Sequence, residues 1–175
     1  MITDSALVAE VNEALSYTVE MGGSYEPVEC QPLYNVAVVV PFRDREAHLN
    51  AFLANLHPFL QRQQLAYTIF IVEQTSEDCS SGISIKLLRH FIVRLCTSAD
   101  SSSFNRGMLM NIGYVEALNQ SSNPFDCFYF HDVDLVPEDD RHSYACPEPR
   151  KPRQMAVLMS KYNYVYDLVS YLLIN

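Results

Sequence analysis

Two aspartates next to an apolar run are the first candidates for chemistry. Asp132 and Asp134 flank Val133 directly after CFYFH, and residues i and i+2 of an extended chain point to the same side. Two carboxylates facing one site suit a hard divalent cation, which takes oxygen ligands and leaves positions for substrate phosphates. The alternative is a pair of loop acids that cap a turn. The neighbouring His131 is either a further metal ligand or a structural hydrogen-bonding group.

Three arginines stand in comparable places. Arg43 and Arg45 follow another apolar run at alternating positions, and Arg106 opens a helical pattern. Guanidinium groups match phosphate oxygens with paired hydrogen bonds, and a helix N-terminus favours an anion. The rings of Phe42 and Phe104 would sandwich a nucleobase. The alternatives are solvated surface arginines and aromatic rings that belong to the core.

The elements that position these residues follow from hydrophobic periodicity. Predicted strands are Val36–Val40, Tyr67–Glu73 and Cys127–His131, with a short candidate at Gln154–Met159; predicted helices are Leu49–Leu60 and Arg106–Leu118, the latter with Met108, Ile112 and Val115 toward the core. Alternating strands and helices predict a parallel sheet, whose ligands bind beyond the carboxyl ends of the strands. The arginine turn and the aspartate pair should therefore share one sheet edge.

The remaining segments carry weaker signals. Residues 1–30 are expected to be irregular, and Pro137–Pro152, with its four prolines, is expected to be a loop. Residues 75–103 show no clear period and leave helix and strand equally open.

Composition limits the class of protein. The chain has 175 residues, 49% of them hydrophobic, which is enough for one globular core. Its formal net charge of -9 argues against a nucleic-acid partner, because such binding depends on a basic surface. No basic-then-apolar signal peptide opens the sequence, and no apolar run reaches the roughly 18 residues of a membrane span.

Other site chemistries are disfavoured. Five cysteines show no CxxC spacing, so a zinc site built on sulfur is not expected, whereas a disulfide is compatible with the sequence. Phosphate-binding loops of the GxxxxGK[ST] or GxGxxG type are absent. A metal-dependent phosphohydrolase using Asp132 and Asp134 is a weaker alternative, since such sites usually need further acids and histidines.

Taken together, the motifs closely resemble the β-1,4-galactosyltransferase family. The resemblance is carried by MGGSYEPVEC, by VAVVVPFRDREAHLNAFLANLHPFLQRQQLAYTIFIVEQ, by FNRGMLMNIGYVEAL and by FDCFYFHDVDLVPEDDRHSYACPEPRKPR. It covers about residues 20–74 and 104–164. It implies a GT-A fold: an α/β, Rossmann-like nucleotide-binding half-domain with a mostly parallel sheet, here incomplete.

The resemblance also implies an activity and a set of site residues. Family members use Mn²⁺ to transfer galactose or N-acetylgalactosamine from a UDP-sugar to a terminal N-acetylglucosamine or glucose of a glycan acceptor, with inversion. The residues that it implies in UDP-sugar binding are Pro41, Phe42, Arg43, Arg45, Phe104, Arg106, Asp132, Val133 and Lys161, with Asp134 as the metal ligand and a disulfide between Cys127 and Cys146. It places Cys30 in a second disulfide with a partner upstream of this chain, and the protein in the Golgi.

The sequence departs from the family in three regions. We expect an N-terminal segment at 1–30, a nucleotide-sugar-binding domain at 31–164 with an atypical insertion at 75–103, and a divergent tail at 165–175. The glycine-rich acceptor-side segment that supplies the general base of the family does not follow KYNY. We therefore expect the chain to be truncated at both ends and inactive alone. The alternative is a non-catalytic UDP- or partner-binding remnant of the fold.

Overall fold

The computed structural model describes most of the chain. It describes residues 4–15, 18–20, 22–75, 82–87, 91–96, 103–120, 123–156, 159–160 and 163–164, with 82–87 and 91–96 described by their backbone alone. The elements in chain order are α1 (Ser5–Leu15), β1 (Ser24–Tyr25), β2 (Asn35–Phe42), α2 (Glu46–Arg62), β3 (Ala66–Thr75), β4 (Gly82–Leu87), β5 (Phe91–Cys96), α3 (Arg106–Gln120) and β6 (Cys127–Phe130).

The strands form one mixed sheet that is mostly parallel. The strand order is β4-β5-β3-β2-β6, and β1 pairs with β3 beside this path. The pairs β2–β3, β2–β6 and β3–β5 are parallel, whereas β4–β5 and β1–β3 are antiparallel. Strand β2 lies between two parallel neighbours, which explains its continuous β-branched run. The predicted α/β class and mostly parallel sheet are confirmed.

Helix α2 covers one face of the sheet through the predicted apolar stripe. Phe52, Leu56 and Leu60 are at most 1% exposed and pack in one cluster with Val38 and Ile69. The spacing of three to four residues places these side chains on one side of the helix. The helix extends three residues before and two residues after the predicted range, Leu49–Leu60.

Helix α3 covers the other face, but not through the residues predicted. Its buried positions are Leu109, Gly113 and Ala117, which meet a smaller cluster that includes Val39 and Val72. Met108 and Val115 are exposed, so the core face predicted for this helix is wrong for both. The true face has small residues in its middle, and a search for large apolar side chains misses such a face.

Two segments without a predicted element have regular structure. Helix α1 contradicts the irregular N-terminal segment expected for residues 1–30. It begins after Asp4, whose carboxylate accepts hydrogen bonds from the backbone N–H groups of Ala6 and Leu7 at 3.0 and 3.1 Å. An aspartate before an apolar-periodic run is a recognisable N-cap signal. Within residues 75–103, β4 and β5 form an antiparallel pair that extends the sheet.

The last two predictions for the C-terminal part have different outcomes. Residues 137–152 contain neither helix nor strand, as expected of a proline-rich loop. Residues 154–156 and 159 are not a strand, so the predicted strand at Gln154–Met159 is wrong for the described part of that range. Two prolines close before this segment, at Pro149 and Pro152, are consistent with its lack of sheet pairing.

Candidate functional site

The arginine turn and the aspartate pair meet at one edge of the sheet. Strands β2 and β6 are parallel neighbours, with Val39 opposite Phe130, so the segments that follow them leave the same edge. Nη1 of Arg45 donates to Oδ2 of Asp134 at 3.3 Å, across 89 residues of chain. The spatial convergence expected from the sequence is therefore present. We call the cluster of Arg43, Arg45, Arg106, Asp132 and Asp134 the arginine–aspartate edge.

The other aspartate, Asp132, pairs with Arg106, the first residue of helix α3. Nε and Nη2 of Arg106 donate to the two carboxylate oxygens of Asp132 at 2.6 and 3.1 Å. This is the two-bond geometry that guanidinium groups form with carboxylates and phosphates alike. Both partners are partly exposed, so an incoming phosphate could compete for the same guanidinium.

A third arginine lies over an aromatic ring at this edge. The guanidinium carbon of Arg43 is 5.4 Å from the ring centre of Phe104, within the range of a cation–π contact. Phe104 is 39% exposed and therefore offers its ring to a ligand. Phe42 is only 4% exposed and lies in the core, so the expected sandwich of a base between both rings is wrong for Phe42. Pro41 and Val133 are also buried, which leaves their backbone for contacts.

The turn between the two arginines has an unusual backbone. Asp44 has φ = 51°, in the left-handed region that aspartate adopts more readily than most residues. It lies between Arg43 and Arg45 and turns the chain from β2 into α2. Helix α2 begins at Glu46 without a side-chain cap on its first N–H groups. The local sequence thus brings a helix start and two guanidinium groups to the same edge.

His131 holds the backbone of the turn that carries Asp132 and Asp134 through its two ring nitrogens. Its Nδ1 lies 3.0 Å from the carbonyl oxygen of Asp132, and its Nε2 lies 2.8 Å from the hydroxyl of Tyr144. A carbonyl can only accept, so Nδ1 carries the proton and Nε2 accepts from the tyrosine. Burial lowers the pKa of His131. Because both ring nitrogens are used, the structural alternative for this histidine holds rather than the metal-ligand one.

The loop after the aspartates is anchored at several points. A disulfide joins Cys127 in β6 to Cys146, with 5.7 Å between the Cα atoms. Arg153 donates to the hydroxyl of Tyr129 and to the carbonyl oxygens of Ser143 and Ala145 at 2.7–3.0 Å. The disulfide implied by the family resemblance is therefore confirmed. Cys30 has an exposed thiol.

The carboxylates fit a metal only in part. Asp134 is 45% exposed, and its 3.3 Å bond to Arg45 is long enough to be exchanged for a metal contact. Within the described residues, no group of three or more His, Cys, Asp or Glu side chains gathers as a ready metal site. Asp134 thus fits as one protein ligand of a cation that is held mainly by phosphate oxygens and water.

One residue beside the arginine–aspartate edge, Gln74, was not predicted from the sequence. Gln74, near the end of β3, is 2% exposed and hydrogen-bonds to both sides of Phe104. A glutamine directly after a predicted apolar strand is a detectable signal. Because its side chain carries no charge, it does not stand out as a candidate for phosphate or metal binding. Lys161, the remaining implied donor ligand, lies outside the described residues.

No helix within the described part of the chain is long and apolar enough to cross a bilayer.

Comparison with known proteins identifies related sequences. The family model for the N-terminal region of glycosyl transferase group 7 matches residues 1–86 and 82–147. Bovine (Bos taurus) β-1,4-galactosyltransferase 3 is 42% identical over 146 residues, which is 83% of this chain and 30% of the relative. Human (Homo sapiens) β-1,4-galactosyltransferase 2 is 39% identical over 151 residues, covering 86% of this chain and 33% of that protein. The chain thus spans about a third of the length of these relatives.

Solved structures give a partial match. A point mutant of Drosophila β-1,4-galactosyltransferase 7, in complex with manganese, UDP-Gal and xylobiose, superposes with a TM-score of 0.47 at 30% identity. The match covers 67% of this chain and 37% of that one.

Proposed function

The chain belongs to glycosyl transferase group 7, the family of the β-1,4-galactosyltransferases, and from that premise we propose that its arginine–aspartate edge binds a UDP-sugar with a divalent cation. The observation that carries this proposal is the convergence of three guanidinium groups and two carboxylates at the ends of β2 and β6. A nucleoside diphosphate with its cation presents the same two signs of charge. Each sign finds its complement at this edge.

The existing ion pairs prepare the site for exchange. Without a ligand, the charges of Arg45 and Arg106 are balanced by Asp134 and Asp132. Asp134 would hold the cation, which would leave the guanidinium of Arg45 available to a phosphate oxygen, and the paired donors of Arg106 suit a second phosphate oxygen. Because the carboxylates hold the guanidinium groups in place beforehand, little side-chain ordering is needed on binding.

Each remaining residue has a specific contribution. Phe104 offers an exposed ring beside Arg43 for stacking against the uracil ring. Pro41, Phe42 and Val133 line the donor with backbone, and Lys161 is proposed as a further donor ligand. In the bound state Mn²⁺ would neutralise the charge that develops on the departing diphosphate.

The proposal for the whole protein is transfer of galactose or N-acetylgalactosamine to a terminal N-acetylglucosamine or glucose, with inversion, in the Golgi. The relatives named above are β-1,4-galactosyltransferases, which supports galactosyl transfer. Transfer also needs a general base that takes the proton of the acceptor hydroxyl. We assign that role to no described residue. We propose that the described part of the chain supplies the donor site, and donor binding without transfer is the result expected of this chain alone.

Isothermal titration calorimetry tests the binding step. UDP in the presence of Mn²⁺ should bind the purified chain more tightly than UDP in EDTA, and more tightly than UMP, which lacks the second phosphate. Binding of UMP and UDP with equal affinity would contradict the diphosphate assignment. A parallel assay of UDP-galactose with an N-acetylglucosamine acceptor separates donor binding from transfer, and rapid transfer would show that a base is present.

A further inference from the structure

Gln74 joins strand β3 to the segment that carries two proposed donor contacts. Its Oε1 accepts from the backbone N–H of Asn105 at 2.9 Å, and its Nε2 donates to the carbonyl oxygen of Ser103 at 3.2 Å. These two backbone groups flank Phe104. A single side chain therefore holds the two peptide groups on either side of Phe104 against the sheet.

The position of Gln74 in β3 explains this geometry. The β2–β3 pairing ends with Phe42 opposite Glu73, so Gln74 lies one residue beyond it, at the carboxyl edge. Alternate residues of a strand share a face, so Gln74 lies on the same side as Phe70 and Val72, the side that α3 covers. The side chain is thus buried under the start of α3, where water cannot replace it.

The two hydrogen bonds of Gln74 to the backbone of Ser103 and Asn105, which we call the clamp, are followed directly by the start of helix α3. Asn105 accepts from the N–H of Met108 through its side chain at 3.0 Å and from the N–H of Leu109 through its backbone at 3.1 Å. These contacts are those of a helix N-cap. Arg106, the first residue of the helix, then forms its two bonds with Asp132. The chain of contacts runs from Gln74 through Asn105 to Arg106.

We propose that Gln74 is a positioning residue of the donor site, which fixes Phe104 and Arg106 for a nucleoside diphosphate without touching it. This inference rests on the proposed function. A buried side chain with both polar groups satisfied by one short loop holds that loop in a single geometry. Its replacement removes the partner of the Ser103 carbonyl and of the Asn105 N–H, and these two exposed residues can then turn toward water and shift the loop.

The test compares Gln74→Met with the wild-type chain by calorimetry with UDP and Mn²⁺. Methionine keeps the length and volume of the side chain and removes both hydrogen bonds. We expect UDP affinity to fall about tenfold, which corresponds to the net free energy of one to two intramolecular hydrogen bonds. Unchanged affinity in Q74M, with tight binding by the wild type, would overturn the inference and leave the proposed function intact.

A matched control separates positioning from general loss of stability. Gln63, at the end of α2, also accepts one backbone N–H, from Tyr144 at 2.8 Å, and donates to one carbonyl, that of His142 at 3.0 Å. Gln63→Met removes the same two kinds of bond away from Phe104 and Arg106. Q63M reaches the aspartate turn only indirectly, through Tyr144 and His131, so we expect its melting temperature to fall with a clearly smaller change of UDP affinity than in Q74M.

A double-mutant cycle adds a readout that a merely structural role would not move. In an Arg106→Ala background, Q74M should cost at most about threefold in UDP affinity, because the contact it positions is already gone. The same tenfold loss in both backgrounds would refute action through Arg106.

Hydrogen exchange of the ligand-free chain keeps the two proposals distinguishable. Q74M should speed exchange of the amides of residues 105–109 and leave those of α2 unchanged. A wild-type chain that binds no UDP would refute the proposed function, and these exchange rates would then decide the role of Gln74. Equal exchange in wild type and variant would refute the clamp.

Discussion

Helix α3 lies close against the sheet at Gly113, and Gly113→Ala tests this close approach. A Cβ at this position would lie 2.4 Å from Cγ1 of Val39 and 2.7 Å from Cγ2 of Val72. Both valines are fully buried in the middle of β2 and β3. Because both side chains are packed in the core, an added Cβ forces the helix or these side chains to shift.

The size of the effect follows from these distances. The closer contact is about 1 Å short of ordinary van der Waals separation, which begins at 3.4 Å. Overpacking costs about 1–3 kcal/mol, and an overlap of this size falls in the upper half of that range, about 2–3 kcal/mol, whereas alanine gains about 1 kcal/mol of helix propensity over glycine. We expect G113A to lose about 1–2 kcal/mol of unfolding free energy. In a chain of this size that lowers the melting temperature by roughly 2–8 °C.

Gly107→Ala in the same helix is the matched control. The nearest atom to its added Cβ would be Oδ1 of Asn105 at 3.9 Å, an ordinary contact. The variant gains the propensity without the overlap and should be as stable as the wild type or more stable. Urea unfolding followed by circular dichroism measures both. If G113A proves as stable as G107A, the close approach of α3 to the sheet is wrong.

Three further predictions concern the site and its support. Asp134→Asn should abolish the enhancement of UDP binding by Mn²⁺, while in EDTA it should leave UDP affinity unchanged or higher, because the carboxylate no longer competes for Arg45; calorimetry with and without metal checks this. Replacing Cys127 and Cys146 by serine should lower the unfolding free energy by about 3 kcal/mol, measured in urea, because the disulfide closes a loop of 19 residues. Burial raises the pKa of the Tyr67 and Tyr144 hydroxyls, whereas in the unfolded chain they ionise near pH 10. Unfolding therefore releases protons above about pH 10. The unfolding free energy measured in urea should fall as the pH rises through that range. A flat stability profile between pH 9 and 11 would contradict the burial of these two hydroxyls.

The centre of the fold was predictable because its signals are strong and local. The run around Val38 has no polar residue, and the stripe of α2 repeats over three turns, so both elements follow from period alone. The shared edge of the arginine turn and the aspartate pair followed from topology, since parallel strands bring their carboxyl ends together. Site geometry was therefore predicted at the level of segments.

The parts that were missed depend on partners distant in sequence. The buried face of α3 is defined by Gly113, whose lack of a side chain matters only against Val39 and Val72. The pair β4–β5 gains its strand structure from pairing with β3, whereas its own sequence has no clear period. Phe42 and Phe104 flank arginines in similar ways, yet one ring is core and the other is exposed. Sequence alone does not separate these cases, because the burial of a side chain depends on which other elements pack against it in the folded chain.

A crystal structure of the chain with UDP and Mn²⁺, with manganese located by anomalous scattering, tests the donor site most directly. We expect one manganese peak within about 2.5 Å of a carboxylate oxygen of Asp134, with the diphosphate between that ion and the guanidinium groups of Arg45 and Arg106. A nucleotide bound elsewhere on the sheet, with both arginine–aspartate pairs intact, would contradict it.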